Sequence, residues 1–453
     1  MNQNNISAAE LFLRVRELLI LPDLEPKTRN KMMHDTLILC CHEGVKETKQ
    51  AFGNLFSQVD YLCKAHGIKV ADKIAIQTMR RHSNSQEPLS SEDLKYDARA
   101  LTLFISAVFG VDVPHELNVL IPHTNRPYQK GLEINNRRIR CIVKNWDSDF
   151  IRVDIDQDAD EEEYLVQLKD EENHIDHTYL WDILKEGMQL NLLDCQVKQP
   201  IITPRLIVVE PDYLVDISSI ATCFTAFGHH PLLYLLNQMK PRANTQATLL
   251  GNFAGAALDD IINTNGKYQM NETIKTNFRE KALEFCTCPW FDAKKFYTDA
   301  NQQAFNLQQV VDILFPRTAS QAQMSAFRGE SLYDRKKAIL EPSFVCEALG
   351  IQGRVDLMTT DCKLLVEQKS GRNMNIETHQ VDPAYHSYQL EPHYVQLLLY
   401  YGVLQHNFKL SNDRVNIRLL YSKYQPQDGL MVVAYYQKLF KEAIEYRNQL
   451  VAA

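Results

Sequence analysis

Residues 341 to 371 read Glu341-Pro-Ser-Phe-Val-Cys-Glu-Ala-Leu-Gly-Ile-Gln-Gly353-Arg354-Val355-Asp356-Leu-Met-Thr-Thr-Asp-Cys-Lys-Leu-Leu-Val-Glu367-Gln368-Lys369-Ser-Gly371, and they decide the fold. A short strand-like run ends at Asp356. A turn at Thr359 to Cys362 follows, and Lys363-Leu-Leu-Val-Glu-Gln-Lys369 reads as a second strand, so the segment predicts a β-hairpin. Residues i and i+2 of a strand share a face. Glu367 and Lys369 therefore point the same way, and the hairpin can bring Asp356 beside them. Hard cations such as Mg²⁺ and Mn²⁺ take oxygen ligands, which two carboxylates and a substrate phosphate supply. The ion polarises the phosphate and acidifies water, while a lysine stabilises charge developing in the transition state. Taken alone, the D-x10-E-x-K spacing is better explained by an exposed hairpin salt bridge, because these residues are common on surfaces.

Working outward changes that balance. Downstream lies His393-Tyr-Val-Gln396-Leu-Leu-Leu-Tyr400-Tyr-Gly-Val-Leu404, which as a helix places His393, Gln396, Tyr400 and Leu404 on one face. Gly353-Arg354-Val355-Asp356, then Glu367-Gln368-Lys369-Ser-Gly371, then Gln396-x3-Tyr400 resemble in order and spacing the motifs of the RecB-type branch of the PD-(D/E)XK nuclease superfamily. The resemblance is closest to the nuclease domain of the flap-processing replication helicase–nucleases. Ile207-Val-Val-Glu-Pro-Asp-Tyr-Leu-Val215, followed by Ser218-Ser-Ile-Ala221, looks like that family's lead-in to the domain. The likeness covers roughly residues 117 to 453 and is specific from 341 to 404.

The resemblance implies a mixed α/β fold with a restriction-endonuclease-like core. It implies Mg²⁺ or Mn²⁺ held by Asp356, Glu367 and the backbone oxygen of Gln368, with Lys369 as the catalytic lysine. Gln396 and Tyr400 are expected to steady the hairpin or contact DNA, or else to be a buried polar pair between helix and sheet. Arg354, inside the first motif, is expected to contact nucleic acid. Two departures stand out. The family's G-x3-H histidine is absent, since the matching string is Gly251-Asn-Phe-Ala-Gly255. Asp259, one turn later, either supplies an oxygen ligand or forms an exposed pair with Asp260. No cysteine follows Cys362, and His230-Pro231 stands where a Cys-Pro is expected, so no iron–sulfur cluster is expected. His229 and His230 are then surface or structural residues.

The rest of the chain sets the frame. Its 453 residues give a prior of about three domains. The composition, 45% hydrophobic and 23% charged, is that of a globular protein and excludes disordered and collagen-like classes. A net charge of -8 means that any anion site must be local. No CxxC pair occurs among the ten cysteines, which read as reduced and mostly buried thiols. The polar start carries no secretory signal, and no apolar run spans a bilayer, so a cytoplasmic location without membrane partners is expected.

Residues 1–116 read as a helical region, with capping boxes at Ser7 and Ser90. Residues 117–204 read as an OB-like β-barrel, with β-type runs at Asn118 to Ile121, Ile139 to Val143, Phe150 to Ile155, Tyr164 to Leu168 and Leu190 to Val197. Within it, Asp154 to Glu163 carries seven acids and reads as a solvated hairpin tip. Arg138, Arg140 and Lys144, with Trp146 nearby, could bind a single-stranded backbone and stack a base, although a solvated strand edge is the commoner explanation. Residues 205–453 read as the nuclease domain, with a helical insertion at about 270–340.

No G-x4-GK[ST] phosphate loop occurs, so this polypeptide is not an ATPase. A helicase is then a partner in trans, or this is a nuclease-only product. The expected activity is a metal-dependent deoxyribonuclease acting on single-stranded or flap DNA in replication, repair or recombination. The alternative is a weak or inactive nuclease-fold scaffold that binds DNA in a helicase complex.

Overall fold

Two serines start helices in the first part of the chain. Ser7 accepts from the Glu10 amide, and the Glu10 carboxylate accepts from the Ser7 amide, closing a capping box on Ala8–Ile20. Ser90 and Asp93 do the same for Ser91–Phe109, which Gly110 ends in the left-handed conformation at φ 63°. In the computed structural model, which describes all residues except 1–5, 22–23, 51, 53, 85–87, 127–136, 157–162, 242–243, 265–266, 383–386 and 411–414, these helices join Pro26–Gly44, Leu55–Ala65 and Val70–Asn84. Leu11, Val15, Leu37, Leu101 and Ile105 are fully buried among them. The run Asn118 to Ile121 is not a strand. His115–Asn118 is a helical turn behind Pro114, and Leu117 and Ile121, four residues apart, pack into the helical core.

Alternating burial then builds a sheet. Its seven strands lie in the order Gln196–Lys198, Ile201–Thr203, Tyr164–Gln167, Phe150–Ile155, Arg138–Trp146, Gln189–Leu193 and Leu206–Val209. Tyr164–Gln167 and Ile201–Thr203 run parallel. Ile139, Val143, Ile151, Val153, Leu190 and Leu192 are fully buried in its core. The order does not close on itself among the described residues. Of the acidic run, residues 157–162 lie outside the described residues. The helices and this sheet form one compact unit, Met1–Asp212.

The second unit, Tyr213–Ala453, is mixed α/β. Its main sheet has the order Ala338–Leu340, Leu357–Thr359, Leu364–Lys369, Asn416–Tyr421 and Leu430–Val432. The pair Leu364–Lys369 and Asn416–Tyr421 is parallel, and the others are antiparallel. A second sheet joins Val215–Asp216, Ile351–Arg354 and Ser343–Cys346. Leu364 and Val366 face a core shared with the helices Gln246–Asn263 and Ala293–Leu314, including Phe253, Ala257, Leu307 and Val311. The segment about 270–340 is mainly helical up to Phe327 and ends in the strand Ala338–Leu340, and its longest helix packs into the central core. Strand alternation sends Glu367 and Lys369 to the opposite face, toward the helix Glu391–Phe408. Among the described residues no helix is long and apolar enough to cross a membrane.

Candidate active site

The hairpin forms where the sequence places it. Leu357–Thr359 pairs with Leu364–Lys369 in antiparallel register, Leu357 opposite Val366, and Cys362 takes a left-handed turn conformation at φ 54°. Asp356 sits just before the first of these strands, where the chain crosses from the second sheet to the main one. Its Oδ2 accepts from the Gln368 amide at 2.6 Å. A strand residue directs its N–H and C=O to the same edge. The Gln368 carbonyl therefore lies on the edge that Asp356 occupies.

Glu367 is 2% exposed. Its Oε1 accepts from Lys369 Nζ at 2.6 Å, while its Oε2 is buried and has no hydrogen-bond partner among the described residues. Burial, reinforced by the Asp356 charge, pushes its carboxyl up to about 8. Burial also raises the Asp356 carboxyl, with the Gln368 amide pulling against it. Lys369 Nζ makes a second bond, to Gln396 Oε1 at 2.9 Å. Tyr400, one turn after Gln396 on the same helix, is buried near the charges of Glu367 and Asp356, and burial raises its hydroxyl pKa. Tyr400 donates to the Arg354 carbonyl at 2.6 Å. Asp356, Glu367, Lys369, Gln396 and Tyr400 are therefore gathered at one place. His393, one turn before Gln396, meets the Tyr421 hydroxyl through Nδ1 at 2.8 Å, and burial lowers it to about 3, so it is neutral.

Glycine makes the close packing possible. A Cβ on Gly353 would lie 2.9 Å from Tyr400 Cε1, so the first motif needs glycine because the tyrosine of the third rests on it. A Cβ on Gly251 would lie 3.1 Å from Ser370 Oγ, which brings the helix Gln246–Asn263 against the second motif. Asp259 on that helix is half-buried. Burial, then the charges of Glu341 and Asp356, push its carboxyl up to about 6. It belongs electrostatically to the acids of the site. Asp260 instead accepts from Thr273 Oγ1 at 2.5 Å.

Four residues that the sequence reading did not assign, Glu341, Gln303, Asn306 and Ser422, complete the surroundings. Glu341 holds a left-handed backbone at φ 48°, donates its amide to the Asp356 carbonyl at 3.0 Å, and pairs with Arg354 at 3.1 Å. Non-glycine residues in that conformation concentrate at functional sites. Behind the sheet, Gln303 Nε2 donates to the Ser370 carbonyl at 3.1 Å, and Asn306 Nδ2 donates to the Ser422 carbonyl at 2.9 Å. Ser422 Oγ links Gln303 and Gln368 through bonds of 2.7 Å each. Gln303 and Asn306 lie among Ala300, Ala304 and Leu307, so buried amides on an apolar helical stripe were the available signal.

The remaining candidates lie in the first unit. Arg140 pairs with Asp212 at 2.7 Å, and Lys144 pairs with Asp154 at 2.6 Å. Arg138 is half-buried on the same strand. Arg140 and Lys144 thus already face carboxylates. All ten cysteines are free thiols, eight of them buried.

The donor set suits a hard cation. Two carboxylates, one of them with an orphaned buried oxygen, and a backbone oxygen on the same edge are all oxygen donors of the kind Mg²⁺ and Mn²⁺ take. Among the described residues, no three His, Cys, Asp or Glu side chains converge into a cage. No family model matches the chain, and no curated protein matches it.

Proposed function

We propose that this protein is a Mg²⁺- or Mn²⁺-dependent nuclease of the PD-(D/E)XK type that hydrolyses phosphodiester bonds in single-stranded or flap DNA. In this reading residues 205–453 hold the restriction-endonuclease-like core, the sheet before it is OB-like, and a helicase acts in trans. The observation that carries it is the Glu367 carboxylate, buried beside Asp356 with one oxygen on Lys369 and the other unpartnered. A buried, half-compensated carboxylate is costly as an anion, so it holds a proton or takes a cation in the proton's place.

Asp356, Glu367 and the Gln368 carbonyl would hold the cation. When bound, it supplies Lewis acidity toward a phosphate oxygen and acidifies water. The protein's own groups do the rest. Glu367 and Gln396 fix the Lys369 ammonium from two sides, so its charge is in place for the phosphorane-like transition state without reorganisation. Tyr400 holds the Arg354 carbonyl and thereby the end of the strand that leads into Asp356. Arg354 presents its guanidinium at the surface, where phosphate can take the place of Glu341.

The test is cleavage of end-labelled single-stranded and flap DNA with Mg²⁺ or Mn²⁺. Lys369→Ala should cut about 100- to 1,000-fold more slowly than wild type. Asp356→Ala should lose both cleavage and Mn²⁺ uptake. The second reading, a nuclease-fold scaffold that binds DNA in a helicase complex, draws on the lack of a three-residue cage among the described residues. DNA binding by wild type with no metal uptake and no cleavage would sink the first reading and leave the second.

A further inference from the structure

The parallel pair at the centre of the main sheet ends beside the candidate site. Lys369 lies opposite Tyr421, and the Ser422 amide donates to the Lys369 carbonyl at 2.9 Å. Ligands in such sheets collect outside the carboxyl ends of parallel strands. Both chain segments leave this edge carrying a cation, Arg372 on one and Lys423 on the other. Their side chains are 61% and 43% exposed. Arg372 Nε donates to Glu377 Oε2, and Lys423 Nζ donates to Glu377 Oε1 at 3.0 Å. Tyr424 donates its hydroxyl to the same Oε1 at 3.0 Å, and Lys423 Nζ lies 5.6 Å from the centre of the Tyr424 ring. Bonds from Lys423 and Arg372 hold the Glu377 carboxyl down at about 2, so it stays ionised. Two cations against one anion leave the cluster net positive. Gly371, between Lys369 and Arg372 in the chain, is exposed, and a Cβ on it would meet nothing within 4 Å.

We propose that Arg372 and Lys423 form a phosphate subsite that receives the nucleic-acid backbone beside the bond to be cut. The inference rests on the nuclease reading and adds to it where the uncleaved strand lies. The acidic pair takes the scissile phosphate with its cation. The cationic pair takes a neighbouring phosphate, and Glu377 keeps the two cations together until the phosphate competes for them. The Tyr424 ring, beside Lys423, is placed for a base to stack on.

The probe is a fluorescent oligothymidylate, titrated with protein in EDTA over a salt series, so that binding is read without cleavage. Each phosphate contact on a single strand contributes about 0.7 to the slope of log affinity against log salt. Arg372→Gln/Lys423→Gln should lower that slope by about 1.4 and weaken binding roughly 5- to 25-fold at 0.1 M salt. Glu377→Gln, which removes the anion, should tighten binding, an effect that misfolding does not produce. Wild-type binding with an unchanged slope in the double variant overturns the subsite and leaves the nuclease reading standing. No binding of the oligothymidylate by wild type, even at low salt, overturns the nucleic-acid reading itself.

Discussion

Glu367 carries opposed demands. Its folded-state carboxyl lies at about 8, against an ordinary 4.5, because burial and Asp356 outweigh the help from Lys369. Between those two values the folded protein binds a proton that the unfolded chain has released. Stability of the metal-free protein therefore falls as pH rises through that window. Added Mn²⁺ should reverse the fall, and its affinity should rise with pH because binding must expel the proton. Glu367→Gln removes the titration, so its melting temperature should decline less between pH 5 and pH 8 than that of wild type. An equal decline in both would show that Glu367 is not the group responsible. At this scale much was legible: the order and spacing of Asp356, Glu367, Lys369, Gln396 and Tyr400 singled out side chains that do meet. Glu341 was not legible, because its part comes from a left-handed backbone and an ion pair that no local pattern announces.

Elements meet at the site through glycine and tyrosine. Gly353 lies under the Tyr400 ring, with both Cε1 and the hydroxyl within 3.2 Å of where a Cβ would stand. Gly353→Ala should overpack that contact and cost about 1–3 kcal/mol by denaturant unfolding. In a Tyr400→Ala background the same substitution should cost far less, because the two share one contact. Additive losses would place the strain elsewhere. The hairpin was legible from its turn and its run of Leu, Leu and Val, and the helix carrying Gln396 from its apolar length. The role of Ala293–Leu314 was not. Its amides matter only because the fold lays them against Ser370 and Ser422, a long-range fact that periodicity does not encode. The Asn118 to Ile121 run misread for a related reason, since short apolar runs fit strand and helical turn equally and tertiary packing chose the turn.

Across the molecule, charge is arranged locally rather than in bulk, as a net -8 requires. Arg140 and Lys144 are matched with Asp212 and Asp154, while Arg372 and Lys423 share one carboxylate. Sequence alone marked the first set, because it sits in a run, and passed over the second, because its members converge only after folding. The parallel pairing of Leu364–Lys369 with Asn416–Tyr421 has a further result, in time rather than in space. On the ribosome, Asp356, Glu367 and Lys369 emerge before Asn416–Tyr421, the strand that pairs with Leu364–Lys369. Such pairing waits for sequence-distant partners and forms late. Chains arrested before Asn416 should leave an end-labelled strand intact and take up no Mn²⁺, whereas the released protein should cut the strand and take up the ion. Cutting by the arrested chains would contradict this order of events. On the nuclease reading, an unfinished molecule would carry its reactive side chains while harmless to the nucleic acids around it, and would become hazardous only once the later strand had paired.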